Sequence, residues 1–211
     1  MRACLWVLFA AMMLVTTDVS AKEEAASPWE PPIPATVPVT RHEALSPRIR
    51  IGAVDIILET TRLSDLQRLH VIGAINRRGD AAASLSWSCW EVDTGSAVVR
   101  ICPRSGEIDG SDFVGSVTLE RVGPSLPSRT HKPVSFAGGA AFGAGLEALV
   151  QAFGPPSYRA SGKDGLVIVD WRYSQLRHPK GVDGFETDGD LYVLFDRQGM
   201  KAVFFSRTTA D

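Results

Sequence analysis

What this chain lacks narrows its function before any motif is weighed. It has no surplus of charge: 22 Lys and Arg face 24 Asp and Glu, a formal net of −2. General nucleic-acid binding needs a clustered excess of cations, so the sequence argues against nucleic acid as a partner. Histidine is scarce. His42, His70, His131 and His178 form no HxH or HxxxH pair, so local spacing gives no metal site. Neither a GxSxG nucleophile elbow nor a GxxxxGK[ST] phosphate loop occurs. No cofactor is expected. Cysteine is limited to three positions.

Long apolar runs are missing as well. The apolar stretch Cys4 to Val15 is shorter than the roughly 20 residues a membrane-spanning helix needs. Arg2 precedes it, and the small residues Val19-Ser20-Ala21 follow it. This basic, apolar, small-residue order reads as a cleaved export signal over residues 1–21. The alternative is an uncleaved N-terminal anchor. The expected location is periplasmic or secreted, with no transmembrane segment after cleavage.

Export leaves two cysteines, Cys89 and Cys102, in a compartment that permits disulfides. They flank the turn-like stretch Asp93-Thr94-Gly95-Ser96, so a bridge across a hairpin is expected. Buried free thiols, a nucleophile and zinc ligation are the alternatives. The last two lack a neighbouring His–Asp pattern and a CxxC spacing.

Lys22 to Pro47 holds six of the 13 prolines and no apolar period. It reads as an extended, solvated arm over residues 22–47. From Ile49 the pattern turns globular. Leu63, Leu66, Leu69 and Ile72 predict a short amphipathic helix after the N-cap types Thr60 and Thr61, ending near Gly73. Leu85, Trp87 and Cys89 alternate as in a strand, with further strands over 97–102 and 114–122. A proline-containing stretch then suggests a linker over 123–141. Leu146, Leu149, Val150 and Phe153 mark one face of a second helix, stopped by Gly154-Pro155-Pro156. Residues 166–173 read as a strand. Residues 191–206 read as a hairpin, and 174–190 as an inserted loop.

The two halves, 48–122 and 142–211, keep a common register. Gly73 and Gly154 are 81 apart, as are Trp90 and Trp171, Leu85 and Leu166, and Ile72 and Phe153. The expected fold is α+β: two similar units in tandem duplication, each a short helix or helical pair packed on an antiparallel sheet.

The segments GLEALVQAFGPP (145–156), DWRY (170–173) and LYVLFDRQGMKAVFF (191–205) resemble the SmpA/OmlA group of envelope proteins and the related β-lactamase-inhibitor-protein fold. The resemblance covers residues 144–207 best. It implies a short helical pair on an antiparallel sheet, and the inhibitor fold is a tandem of that unit. No cysteine follows the apolar run, unlike in the lipoprotein members. No inhibitory residue matches one by one.

Candidate interface residues are the aromatics Trp87, Trp90, Trp171, Tyr173 and Tyr192, which lie on or beside predicted strands. Most are expected in the core, with one or two exposed as anchors. Asp183, Glu186, Asp188 and Asp190 concentrate hard oxygen ligands, but without the spacing of an EF-hand. A solvated acidic loop or a partner-binding finger are the readings of that loop. Gly138-Gly139, Gly143 and Gly145 read as a flexible helix entry. These features point to an exported, non-catalytic protein-binding or inhibitor-like protein whose partner is another envelope or secreted protein. A structural component of envelope assembly, or a hydrolase assembled only in the fold, are the other classes.

Overall fold

Ten strands build one long sheet, and the sequence reads across it in mirror order. The computed structural model describes residues 31, 37–79, 84–106, 112–127, 130–162, 164–177 and 184–210. The expected export signal at 1–21, Trp29, His178 and Asp183 lie outside the described residues. Strand accounts for 53% and helix for 9% of the described residues. The protein is therefore α+β with antiparallel sheets, as expected in class but richer in strand.

The large sheet runs in the order β10 (Tyr158–Ser161), β11 (Val167–Arg177), β12 (Phe185–Asp196), β13 (Gly199–Ser206), β7 (Ser116–Pro124), β6 (Ala97–Gly106), β4 (Leu85–Trp87) and β3 (Asn76–Arg78). β5 (Trp90–Asp93) also pairs with β6, and β14 (Thr208–Ala210) with β12. The first half thus supplies five strands and the second half five, joined edge to edge where β7 meets β13. Arg121 on β7 clamps this junction, donating from Nη2 to both Asp196 oxygens at 2.6 and 2.5 Å.

A smaller sheet has the order β2 (Val54–Ile57), β1 (Arg48–Ile51), β8 (Val134–Phe136), β9 (Ala140–Ala141). It packs with helices α1 (Leu63–Arg68) and α2 (Leu146–Phe153) on one face of the large sheet. Ile49, Ile56 and Phe136 meet Leu63, Leu149, Ile101, Leu119, Trp171 and Val203 in a single core. Along β12, Leu191, Val193 and Phe195 point into that core, while Tyr192 and Leu194 point to the other face. This is the period-two alternation of a strand.

Several expectations are corrected. The stretch 123–141 is no linker: β7 runs through Pro124, and β8 is a strand of the small sheet. The arm is not solvated over its described end. Leu45 is in the core, Val37 is buried, and Arg41 bridges to Tyr173. The described parts of the expected inserted loop, 174–177 and 185–190, are strand. β11 and β12 stay paired out to Arg177–Phe185.

Helix α1 ends earlier than its apolar spacing suggests. His70 adopts φ +55°, and Leu69 is exposed. A left-handed residue cannot continue a right-handed helix. Its start carries no side-chain cap, and Thr61 instead accepts the Ile57 N–H. Helix α2 follows its predicted bounds, with Leu149 and Phe153 buried and Gly154 at φ +78° closing it.

The first-half tryptophan strand is split. β4 and β5 keep one register against β6, so Ser88 and Cys89 stand opposite Pro103 and Cys102. Pro103 has no N–H to give, which interrupts the ladder there.

Candidate binding face and its buried carboxyl group

The face of the large sheet away from the helices is the feature to explain. The pairing register draws one continuous row across it: Tyr158, Asp170, Tyr192, Phe204, Thr118, Cys102. Cys89 ends the row. Its Sγ is bonded to Cys102 at 2.07 Å, with the Cα atoms 4.3 Å apart. That Cα spacing is the one found for directly opposed, non-hydrogen-bonded residues of antiparallel strands. The expected hairpin bridge is therefore in place, closed beyond the Asp93–Ser96 turn.

A second row lies on the same face: Ile168, Leu194, Ala202, Glu120, Arg100, Glu91. Its charged end is self-contained, with Arg100 to Glu91 at 3.1 Å. Leu166, Ile168, Leu194, Ala202, Tyr192 and Phe204 form a separate apolar cluster here. On a third row, Arg172 reaches Asp190 at 2.7 Å and the Val37 carbonyl at 3.0 Å. Further along that row Trp87 stands beside Arg104. The Arg104 guanidinium sits 6.0 Å from the Phe204 ring centre.

Asp170 is the chemical anomaly of the face. It is fully buried, and neither carboxylate oxygen has a hydrogen-bond partner among the described residues. Burial is the main cause that pushes its pKa up to about 7, with the Asp190 charge adding to it and Arg172 opposing it. Burial, with the Asp170 charge behind it, also pushes the Tyr192 hydroxyl up to about 12.

The five aromatics separate by face. Trp171 and Tyr173 are buried in the main core, so they cannot be surface anchors. Trp90 is half-buried against that same core. Trp87 and Tyr192 lie on the second face and are buried too, at 6% and 0% exposure. Sequence reasoning missed Phe204, Leu194, Arg104 and Asp170 as members of this face. Asp170 did carry a signal, being a lone carboxylate inside the apolar run LVIVDWRY.

The acidic residues are strand residues, not loop ligands. Glu186, Asp188 and Asp190 alternate with the buried Thr187 and Gly189 on β12. Asp190 is committed to Arg172, and Glu186 to the Ser174 hydroxyl. Asp183 lies outside the described residues. Among the described residues no group of three or more His, Cys, Asp or Glu is placed to hold a metal ion.

One Asp–His–Ser grouping does occur. Asp93 accepts from Ser125 Oγ at 2.7 Å, from the Leu126 and Gly95 N–H groups at 2.6 and 2.8 Å, and contacts His131 Nδ1 at 3.1 Å. The Leu126 N–H is the main cause that holds its carboxyl well below the usual range. Serine and histidine both end on the carboxylate. A nucleophile would need its hydroxyl on the imidazole instead. The cluster anchors the β5–β6 turn to the chain leaving β7.

The glycines at 138 and 139 line a cleft of about 350 Å³ with Arg48, Arg50 and Ser135. Both arginines already face Asp55, at 3.6 and 2.8 Å. Among the described residues, no helix is long and apolar enough to cross a membrane. No protein-family model matches the chain, and no curated protein or solved structure matches it.

Proposed function

We propose that this chain is an exported, non-catalytic protein-binding protein of the bacterial envelope, inhibitor-like in design. Its binding surface is the second face of the large sheet. The observation that carries this reading is the continuous strand-built row from Tyr158 to Cys102, along which Tyr158 and Phe204 are half-buried rather than fully covered. Aromatic residues are among the types enriched where proteins meet, and on this face the half-buried Tyr158 and Phe204 are the aromatics open to a partner. The Cys89–Cys102 bridge suits an oxidising compartment.

The reading includes a tandem duplication of one unit, which the pairing register supports. The row Trp90, Ile101, Leu119, Val203 repeats in the row Trp171, Leu191, Phe205, Val117. Exchanging the halves turns the pair Phe205–Val117 into the pair Leu119–Val203. The offset of 81 between the tryptophans thus extends into a pseudo-twofold axis at the β7–β13 junction. This layout resembles the tandem β-lactamase-inhibitor-protein fold and carries no implication that a β-lactamase is the partner.

The test is capture from envelope extract by wild type, Phe204→Arg and Gln151→Arg. Gln151 is exposed on α2, on the far side of the molecule from this face. Loss of a captured protein in Phe204→Arg alone supports the face as the interface. Equal capture by all three overturns it.

A further inference from the structure

We infer that the cleft on the outer face of the small sheet, between β1 and the β8–β9 turn, binds the phosphate group of a small soluble phosphate monoester. The small sheet packs its inner side on the core, so this cleft lies on the opposite side of the molecule from the second face of the large sheet.

Strand alternation builds the site. Ile49 and Ile51 on β1 are buried in the core, so Arg48 and Arg50 project from the other side of the strand. The pairing register places Asp55, Arg50 and Ser135 in one row across β2, β1 and β8. Arg48 stands opposite Ile57 in the next row. Its carbonyl accepts the Ala137 N–H, at the start of the turn that carries Gly138 and Gly139. The cleft among these groups measures about 350 Å³, within the size range of small-ligand pockets, and Ser46 and Pro47 also line it.

The donors of the cleft are only partly used. Arg50 donates to Asp55 from Nε at 2.8 Å and from Nη2 at 3.3 Å. Arg48 Nη1 stands 3.6 Å from the same carboxylate, an ion pair too long for a hydrogen bond. The Arg48 fork therefore stays open to a ligand. The hydrogen bond from Arg50 is the main cause that holds the Asp55 carboxyl below its usual range, so Asp55 stays ionised and fixes Arg50. Two guanidinium charges meet one carboxylate, which leaves one positive charge uncompensated. No carboxylate lines the cleft among the described residues. Among those residues the Ser46 and Ser135 hydroxyls and the Gly138 N–H also have no hydrogen-bond partner. Ser46 and Gly138 sit close together: a Cβ built on Gly138 would lie 3.5 Å from the Ser46 Cβ.

This donor set selects the ligand class. A carboxylate has two oxygens and is filled by one arginine fork. Two guanidinium groups, two hydroxyls and a backbone N–H around one cleft match the three terminal oxygens and near-double charge of a phosphate monoester. Pro47 and Ile57 give an apolar wall for the organic group that the ester carries. A membrane surface fits less well, because polybasic lipid recognition uses about 4–8 Lys or Arg and this cleft offers two.

The inference goes beyond the protein-binding reading and needs no partner protein. Titration calorimetry of the purified chain with phenyl phosphate, inorganic phosphate and benzoate tests it. Phenyl phosphate should saturate one site, more tightly than inorganic phosphate and about tenfold or more tighter than benzoate. Arg48→Gln and Ser135→Asp should each weaken phenyl phosphate about tenfold or more, with far-ultraviolet spectra like that of wild type. Arg68→Gln removes the same charge from an exposed arginine of α1 and should leave binding unchanged. Absence of saturable binding, or equal weakening by Arg68→Gln, overturns the site. Equal affinity for benzoate overturns the phosphate assignment. Sedimentation with phosphatidic acid vesicles by a protein that binds no phenyl phosphate overturns the soluble ester in favour of a lipid headgroup. Phe204→Arg, the probe of the second face, should bind phenyl phosphate as wild type does, so failure of either reading is seen separately from failure of the other.

Discussion

The indole N–H of Trp171 donates to the carbonyl of Gly154 at 2.9 Å. The bond joins the strand residue to the glycine that stops α2, and the two lie 17 residues apart in the chain. Phe153 adds an edge-to-face contact with the same ring, 5.8 Å between centroids. Helix α2 is therefore docked through its C-terminal end, not only through its apolar stripe.

Replacing Trp171 by Phe removes the donor, leaves the Gly154 carbonyl unpaired and opens space beside Phe153. The combined loss should cost about 2–3 kcal/mol. Urea unfolding followed by circular dichroism measures it. Trp90→Phe, at a half-buried site, should cost less. Equal costs at the two positions would show that the Gly154 bond contributes nothing.

Gly189 has a specific steric reason to be glycine. A Cβ there would overlap the Tyr173 hydroxyl and the Ser206 carbonyl. The ring of Tyr173 lies across β12 at this point and reaches Ser206. Gly189→Ala should destabilise by about 3 kcal/mol, because neither a buried ring nor a backbone carbonyl can give way cheaply. Gly123→Ala, with nothing within 4 Å of its added Cβ, serves as the control and should stay within about 0.5 kcal/mol. Similar thermal midpoints for the two variants would refute the close packing at Gly189.

The bridge between Cys89 and Cys102 closes a loop of sequence separation 13. Loop closure of this size is worth about 3 kcal/mol in the chain-entropy model. The double variant Cys89→Ala, Cys102→Ala should therefore lower the urea midpoint and become insensitive to reductant. Intact mass measurement without reduction should find neither thiol open to alkylation at these two positions.

Much of this architecture was legible as period and punctuation. Leu149 and Phe153 sit where the 3.6-residue stripe of α2 put them, and Gly154 ends it at φ +78° and ψ −170°, a glycine conformation other than the expected left-handed helical cap. The register of Cys89 and Cys102 followed from the Asp93–Ser96 turn. The inserted loop at 174–190 misled because its Gly and Asp residues resemble turn formers. Gly189 is there to admit Tyr173, and the carboxylates face outward from a strand. The stretch at 123–141 misled in the same way: its prolines hid Val134 and Phe136, which pair with β1. The second face of the large sheet was least legible. Its members come from strands of both halves, and only pairing register brings Asp170, Phe204 and Thr118 into one row.

Asp170 should make stability fall as pH rises. Its pKa is about 7 in the folded chain, raised chiefly by burial and then by Asp190, against about 3.9 in an unfolded one. Between those values the native state holds a proton that the unfolded state has released. Its contribution is therefore fully present below about pH 4 and is lost as pH climbs through about 7. Asp170→Asn keeps the shape of the neutral acid and cannot ionise. Relative to wild type it should gain stability from pH 4 to pH 8, on the order of a few kcal/mol at the upper end. Urea unfolding of both proteins across that range gives the difference directly. A difference that stays constant with pH would mean that Asp170 has an ordinary carboxylate pKa, and so a partner for its charge. A difference that grows from about pH 4 and levels off above about pH 7 would place the titrating proton on the Asp170 carboxyl group itself.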